Sequence, residues 1–248
     1  MKLIQRHGYI EFLRRNRERS IIKVVSGIRR CGKSTLFRLF KDELLAEGVK
    51  PEQIISINFE ELEYEPLREY HRLYQYILNQ MQPNQMNYIF LDEIQHVDQF
   101  HRVVDSLFVK ENTDIYITGS NAYFMSSDIA TLLTGRYVEI QMLPLSFAEF
   151  YYSKYEEQQY SLIPAYETYL RESSFPYTQQ LGGEDFDIQE YLRGLFNTLL
   201  LHDVVARLKI NDVMILQDIV RYIMANVGSL LSPNKIAKSL VSAGRKID

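Results

Sequence analysis

The chain has 248 residues, of which 46% are hydrophobic and 24% charged, with a formal net charge of -4. That length buries one large domain or a domain plus a smaller module. No apolar run reaches the ~18 residues of a membrane span and no leader-like apolar stretch opens the chain, while the acidic balance argues against a broad nucleic-acid-binding surface but not against a local basic patch.

Tyr9, Phe12 and Leu13 recur at helical spacing, so residues 9–18 predict an amphipathic helix. Its Arg14, Arg15 and Arg17 form either a solvated face or a contact for an acidic partner. Residues 21–26 are a β-branched run that reads as a buried strand. The run leads into Gly27-Ile28-Arg29-Arg30-Cys31-Gly32-Lys33-Ser34, which meets the phosphate-loop pattern G-x-x-x-x-G-K-[S/T] at every required position. Residues 35–47 follow with Leu36, Phe37, Phe40 and Leu44 on one helical face and Gly48 as the stop. In a strand–loop–helix arrangement, backbone N–H groups and the positive end of the helix dipole converge on anionic oxygens. Gly27, Arg29, Arg30, Cys31, Gly32, Lys33, Ser34 and Thr35 are therefore the candidate nucleotide-binding residues. Lys33 would reach the β- and γ-phosphates of ATP, and the Ser34 hydroxyl would ligate Mg2+. The competing explanation is a chance match in a glycine-containing turn. Cys31 is the lone cysteine, which excludes an internal disulfide and fits a reducing cytoplasm; it is either a redox-sensitive position or a small residue the loop tolerates.

Residues 54–59 alternate and are β-branched, a second strand. Glu60, Glu61, Glu63 and Glu65 lack metal-ligand spacing and read as a solvated loop, and residues 67–81 predict a tyrosine-rich amphipathic helix. Tyr88-Ile89-Phe90-Leu91 then forms a fully buried strand that ends in Asp92-Glu93. In a parallel sheet the carboxyl ends of the strands share the edge that carries a phosphate loop. Asp92 can hold the Mg2+ ion there, and Glu93 can orient or deprotonate an attacking water; alternatively the pair is an acidic turn after a buried strand. In kinase-like and GTPase-like phosphate-loop proteins the metal-binding strand lies beside the loop strand, whereas in the additional-strand class a further strand sits between them. With one strand and a catalytic glutamate following the loop, the Asp92-Glu93 pair resembles the second class.

Asp98 is expected to cap a helix whose face is Phe100, Val103, Val104, Leu107 and Phe108. Residues 114–118 predict a fourth strand ending in Gly119-Ser120-Asn121. Additional-strand ATPases place sensor 1, a small polar residue touching the γ-phosphate or the attacking water, at this strand tip. Asn121 and Ser120 are the candidates, with a turn-capping role as the rival. Ser126 or Ser127 opens a short helix to Leu133, residues 137–142 form the fifth strand, and Ser146-Phe147-Ala148-Glu149 is a capping box for the next helix. Arg136, just before the fifth strand, is either an arginine finger acting in cis or on a neighbouring subunit's γ-phosphate, or a structural arginine paired with a carboxylate.

Together the phosphate loop, Leu91-Asp92-Glu93-Ile94-Gln95, Thr118-Gly119-Ser120-Asn121-Ala122, Gly135-Arg136 and Leu143-Pro144-Leu145-Ser146-Phe147-Ala148-Glu149-Phe150 resemble the AAA-type P-loop ATPases usually fused to a DUF4143 domain, near the archaeal-ATPase and STAND groups. The resemblance implies a three-layer α/β/α core with a parallel sheet, then a helical lid, then a winged helix. It places the core at 1–150, the lid at 151–227 and the start of a winged helix at 228–248. Relatives carry a Gly-Gly-Phe-Pro-like lid motif whose proline lies against the adenine. Here the stretch is Ser173-Ser174-Phe175-Pro176, so Pro176 is the implied base contact and both glycines are replaced. Residues 188–208 and 213–227 read as helices, and Ser232-Pro233-Asn234-Lys235-Ile236-Ala237-Lys238-Ser239-Leu240 as the first helix of a helix-turn-helix. Because Asp248 precedes any recognition helix, a truncated module is expected.

These residues predict an Mg2+-dependent ATPase that couples hydrolysis to conformational change, with room for self-association and for a protein or DNA partner on the C-terminal region. Two rivals stand beside it: a nucleotide-gated switch or adaptor with little turnover, and a small-molecule or nucleoside kinase.

Overall fold

The computed structural model describes residues 4–120, 133, 135–155, 160–182, 185–199, 204–205 and 212–244. These fall into two compact units, 1–188 and 189–248. The first unit opens with α1 (His7–Asn16) and β1 (Ile22–Gly27), then α2 (Lys33–Ala46), β2 (Ile54–Asn58), α3 (Tyr70–Gln80) and β3 (Asn87–Asp92). It continues with α4 (Phe100–Phe108), β4 (Thr113–Ser120), β5 (Tyr137–Met142), α5 (Phe147–Tyr155) and α6 (Leu162–Glu172).

The five strands form one sheet in the order β2-β3-β4-β1-β5, and each neighbouring pair is parallel. An additional strand does separate β1 from β3, as expected, but it is not the one lying between them in the chain. Residues 54–58 pass to the sheet edge, and β4, which follows Asp92-Glu93 in sequence, inserts between the loop strand and the carboxylate strand.

Central strands β1 and β3 are buried along their whole length, which explains apolar runs in place of apolar–polar alternation. Alternate side chains serve opposite layers. Ile22, Val24, Ile89, Leu91, Ile115 and Ile117 join the core with Val103, Val104 and Leu107 of α4. Val25, Phe90 and Tyr116 join the opposite core with Leu13 of α1 and Leu36, Phe37 and Phe40 of α2. There Phe90 and Tyr116 stack with centroids 4.7 Å apart, and Phe37 meets Phe90 edge-on at 5.2 Å, a geometry that aromatic quadrupoles favour. This packing seats α2, and with it the loop that precedes it, against the sheet.

Three local expectations change. The helix predicted over 67–81 begins at Tyr70, because Glu69 accepts the His71 and Arg72 amides at 3.0 Å each and caps it; a 3₁₀ segment, Leu62–Arg68, replaces its first turn. Asp98 caps nothing: Gln99, at φ 50°, takes the N-cap position of α4 without a side-chain bond. The Ser146–Glu149 capping box forms, with Glu149 Oε2 accepting the Ser146 amide at 2.8 Å and Ser146 Oγ accepting the Glu149 amide at 3.2 Å.

Within the second unit, α7 (Asp185–Thr198) continues from the boundary. Farther on, α8 (Val213–Ala225) is capped by Asp212 and α9 (Pro233–Ser242) by Ser232, whose hydroxyl accepts the Lys235 amide at 3.2 Å. No helix among the described residues is long and apolar enough to cross a membrane.

Candidate nucleotide site

The carboxyl ends of β1, β3 and β4 meet at one edge of the sheet, and the sequence places its polar residues there. β1 runs into Gly27, where an added Cβ would lie 2.5 Å from the Met142 carbonyl oxygen and 2.8 Å from Cys31 Sγ. Only glycine allows the loop to close on the end of β5 in that way. Arg30 at φ 67° and Gly32 at φ 106° are left-handed, and such reversals turn successive N–H groups toward a common concavity. Gly32 is also the N-cap of α2 and offers no side chain to the first-turn amides, and that turn contains no acidic residue. With no side-chain cap and no acidic residue in its first turn, the start of α2 and its helix dipole are open to an anion.

Lys33 is 4% exposed. Its Nζ donates to the Gly27 carbonyl at 3.1 Å and the Ile28 carbonyl at 3.4 Å, and pairs with Glu93 Oε1 at 3.0 Å. Glu93 sits at φ 54° immediately after β3, a costly backbone for a glutamate. Three contacts hold it: its amide donates to Thr118 Oγ1 at 2.9 Å, Gln95 Nε2 donates to its Oε2 at 2.5 Å, and Lys33 binds the other oxygen. Burial pushes the Glu93 carboxyl up, but the Lys33 charge and the hydrogen bonds from Gln95 and Lys33 outweigh it and hold the group below its ordinary value. Asp92 behaves in the opposite way. Burial drives its carboxyl upward, only partly offset by hydrogen bonds from Ser34 and Thr118.

The structure thus brings Gly27, Gly32, Lys33, Ser34, Asp92 and Glu93 together. The donor set also fits magnesium: an exposed Ser34 hydroxyl hydrogen-bonded to a buried carboxylate is an all-oxygen pair of the kind that Mg2+ shares with phosphate and water. Among the described residues no group of three or more His, Cys, Asp or Glu side chains could hold a metal by itself. Arg29 ion-pairs with Glu60 at 3.3 Å, so the acidic run after β2 stays exposed, as expected of a solvated loop, while one of its carboxylates meets the phosphate loop. Cys31 is fully buried beside Gly27, and burial raises its thiol pKa. Pro176, in the 3₁₀ segment Pro176–Gln180, puts its Cγ 4.0 Å from the place of a Gly32 Cβ.

Arg136 is not brought to the loop. It precedes β5 at the opposite edge, six residues before the Gly27–Met142 pair, or roughly 20 Å along the strands. There its guanidinium lies 5.6 Å from the Phe108 ring centroid and 3.9 Å from Asp105 Oδ1. Asn121 lies outside the described residues, as does the helix predicted from Ser126 or Ser127; the backbone of Ser120 ends β4 opposite Gly27. Sequence reasoning gave no role to Thr118, whose hydroxyl donates to Asp92 Oδ1 and accepts the Glu93 amide. Its one local sign was a hydroxyl at the carboxyl end of the strand, after the apolar Ile115 and Ile117. Gln95 carried no such sign.

A parallel sheet with the strand order β2-β3-β4-β1-β5, a glycine-closed loop on β1 and acidic residues on β3 define a P-loop protein of the additional-strand class. Residues 19–151 match the AAA domain model AAA_14, and the chain belongs to that family. An uncharacterized protein of Haemophilus influenzae is 38% identical over 243 residues, covering 97% of this chain and 60% of its own length. The uncharacterized protein MJ1544 of Methanocaldococcus jannaschii is 33% identical over 245 residues, covering 91% of this chain and 51% of its own. The chain therefore spans between half and two thirds of these relatives. The Walker-type ATPase PABY2304 of Pyrococcus abyssi superposes with a TM-score of 0.63 at 17% identity, covering 99% of this chain and 85% of that one. That likeness is one of fold.

Proposed function

We propose that the protein binds ATP and hydrolyses it with Mg2+, coupling the change in phosphate state to movement of the segments around the loop. The convergence of Lys33, Asp92 and Glu93 on the edge that carries the uncapped start of α2 supports this reading most strongly. The loop amides would hold the polyphosphate. Lys33 would exchange its loop carbonyls and Glu93 for phosphate oxygens, and the released Glu93 carboxylate would take the proton of an attacking water. Ser34 and Asp92 are the residues that would hold Mg2+, which when bound supplies neutralisation of the phosphate charge. Pro176 would lie against the base, and Asn121 would sense the γ-phosphate. Arg136, distant from its own loop, would act on the site of a neighbouring copy if copies associate. Residues 151–227 would serve as a lid and α9 as the first helix of a winged-helix module for a protein or DNA partner, in a cytoplasmic protein.

Glu93→Gln is expected to keep ATP binding and abolish phosphate release. Unchanged steady-state phosphate release would sink the catalytic assignment. A second reading, a nucleotide-gated switch with negligible turnover, draws support from the same Lys33–Glu93–Gln95 contacts, because they occupy the catalytic carboxylate. It predicts tight nucleotide binding by the wild type with no phosphate released.

A further inference from the structure

Arg6 stands in the short segment before α1, where nothing in the local sequence distinguishes it, yet it is 4% exposed. Its guanidinium reaches three separate parts of the first unit. Nη1 donates to the Cys31 carbonyl of the phosphate loop at 3.4 Å. Nη2 donates to the Leu143 carbonyl at 2.8 Å and the Pro144 carbonyl at 3.4 Å, just beyond β5. Nε pairs with Glu149 Oε1 at 2.6 Å, while the other oxygen of that carboxylate closes the capping box of α5. Tyr9 completes the socket: its ring centroid lies 4.6 Å from the guanidinium carbon, and its hydroxyl accepts the Leu143 amide at 3.2 Å. A buried arginine is costly unless its donors are met, and here a carboxylate and three carbonyls meet them.

The contact with Cys31 has a consequence for the loop. In a trans peptide the carbonyl of one residue and the N–H of the next point in opposite directions. A cation that draws the Cys31 carbonyl toward α1 turns the Gly32 N–H the other way, toward the concavity formed by the left-handed residues Arg30 and Gly32. We infer that Arg6 is a positioning residue for the phosphate loop: by binding the Cys31 carbonyl it orients the Gly32 amide for a phosphate oxygen. Through Leu143, Pro144 and Glu149 it ties that orientation to the strand end and helix that follow β5. The inference deepens the nucleotide-binding reading and rests on it for the identity of the anion.

The full chain tests it with two readouts. Amide hydrogen exchange of residues 27–35 without nucleotide reports the loop alone, and calorimetry with ADP and with adenosine reports the phosphate contribution. In Arg6→Met the Gly32 and Lys33 amides should exchange about tenfold faster while β1 and β3 keep their protection. ADP affinity should fall about tenfold and any adenosine affinity should stay unchanged, the scale of one charge-assisted hydrogen bond. Arg6→Lys, a single point donor, should recover part of both effects. If Arg6→Met unfolds, Arg6→Lys and Glu149→Gln carry the test, each with a smaller increase in loop exchange. Loop exchange equal to wild type in any of these folded variants overturns the inference, whatever binds. A wild-type chain that fails to bind ADP, while Arg6→Met still loosens the loop, overturns the nucleotide reading and leaves the positioning role standing.

Discussion

Two buried lysines, one within β1 and one opening α2, pair with carboxylates, and they differ in what surrounds them. Lys23, near the amino end of β1, is sealed: it binds Asp114 and the Arg19 carbonyl at 2.9 Å, and neither Lys23 nor Asp114 has an exposed side chain. Asp114 also accepts the Tyr116 hydroxyl at 2.6 Å and the Glu18 amide at 2.8 Å, so the pair is closed by a tyrosine and by the link between α1 and β1. Lys33, at the carboxyl end, binds Glu93 and two loop carbonyls beside the uncapped amides of α2. Those partners lie at the phosphate loop, and in the proposed function they give way to phosphate. A buried lysine–carboxylate pair therefore does not mark a site by itself. A neighbouring helix start with no side-chain cap makes the difference.

That contrast can be broken experimentally. The largest effect is expected at the sealed pair: Lys23→Met strands a buried carboxylate and should cost about 3–5 kcal/mol in denaturant unfolding, while nucleotide affinity of the folded fraction stays at the wild-type level. Lys33→Ala should invert the pattern, lowering ATP affinity at least about a hundredfold, near 3 kcal/mol, with a smaller loss of stability. Equal losses of stability in the two variants would erase the distinction. Gly27→Ala must displace the Met142 carbonyl that lies 2.5 Å from the new Cβ, and overpacking of this kind costs about 1–3 kcal/mol. Calorimetry should show nucleotide binding lost as well.

Ser173 offers a test of opposite sign. At φ 76° and ψ 164° it ends α6 in a conformation suited to glycine, and it occupies the first glycine position of the resembled lid motif. Ser173→Gly should raise stability by about 1 kcal/mol, seen as a higher melting temperature; a lower one would show that the backbone is not strained there. The smallest effect is a control away from both lysines. Glu69→Ala removes the cap of α3 and should lower the denaturant midpoint of unfolding slightly, without touching nucleotide affinity.

Much of this was legible in the chain because it is local. The loop, Asp92-Glu93, the five strands and the Ser146–Glu149 capping box are encoded by spacings of a few residues. The acidic run is solvent-exposed, as its spacing suggested, but the ion pair that Glu60 makes with Arg29 joins residues 31 positions apart and no local pattern announces it. Arg136 could be placed beside β5 but not at an edge of the sheet until the register was known. Thr118 and Arg6 escaped because the hydrogen-bond partners of their side chains lie 25 or more residues away, and Gln95 because its bond to Glu93 depends on the left-handed turn at Glu93, which no residue pattern announces.

The sequence by itself determined that a phosphate loop enters a helix and that two carboxylates leave a buried strand, since hydrophobic period and glycine placement dictate both. Only the tertiary structure decided which strand separates them, which lysine is sealed with Asp114 and which pairs with Glu93 beside the loop, and which arginine reaches the Cys31 carbonyl. Parallel strand order and side-chain pairing join residues tens of positions apart, and no local propensity carries that information.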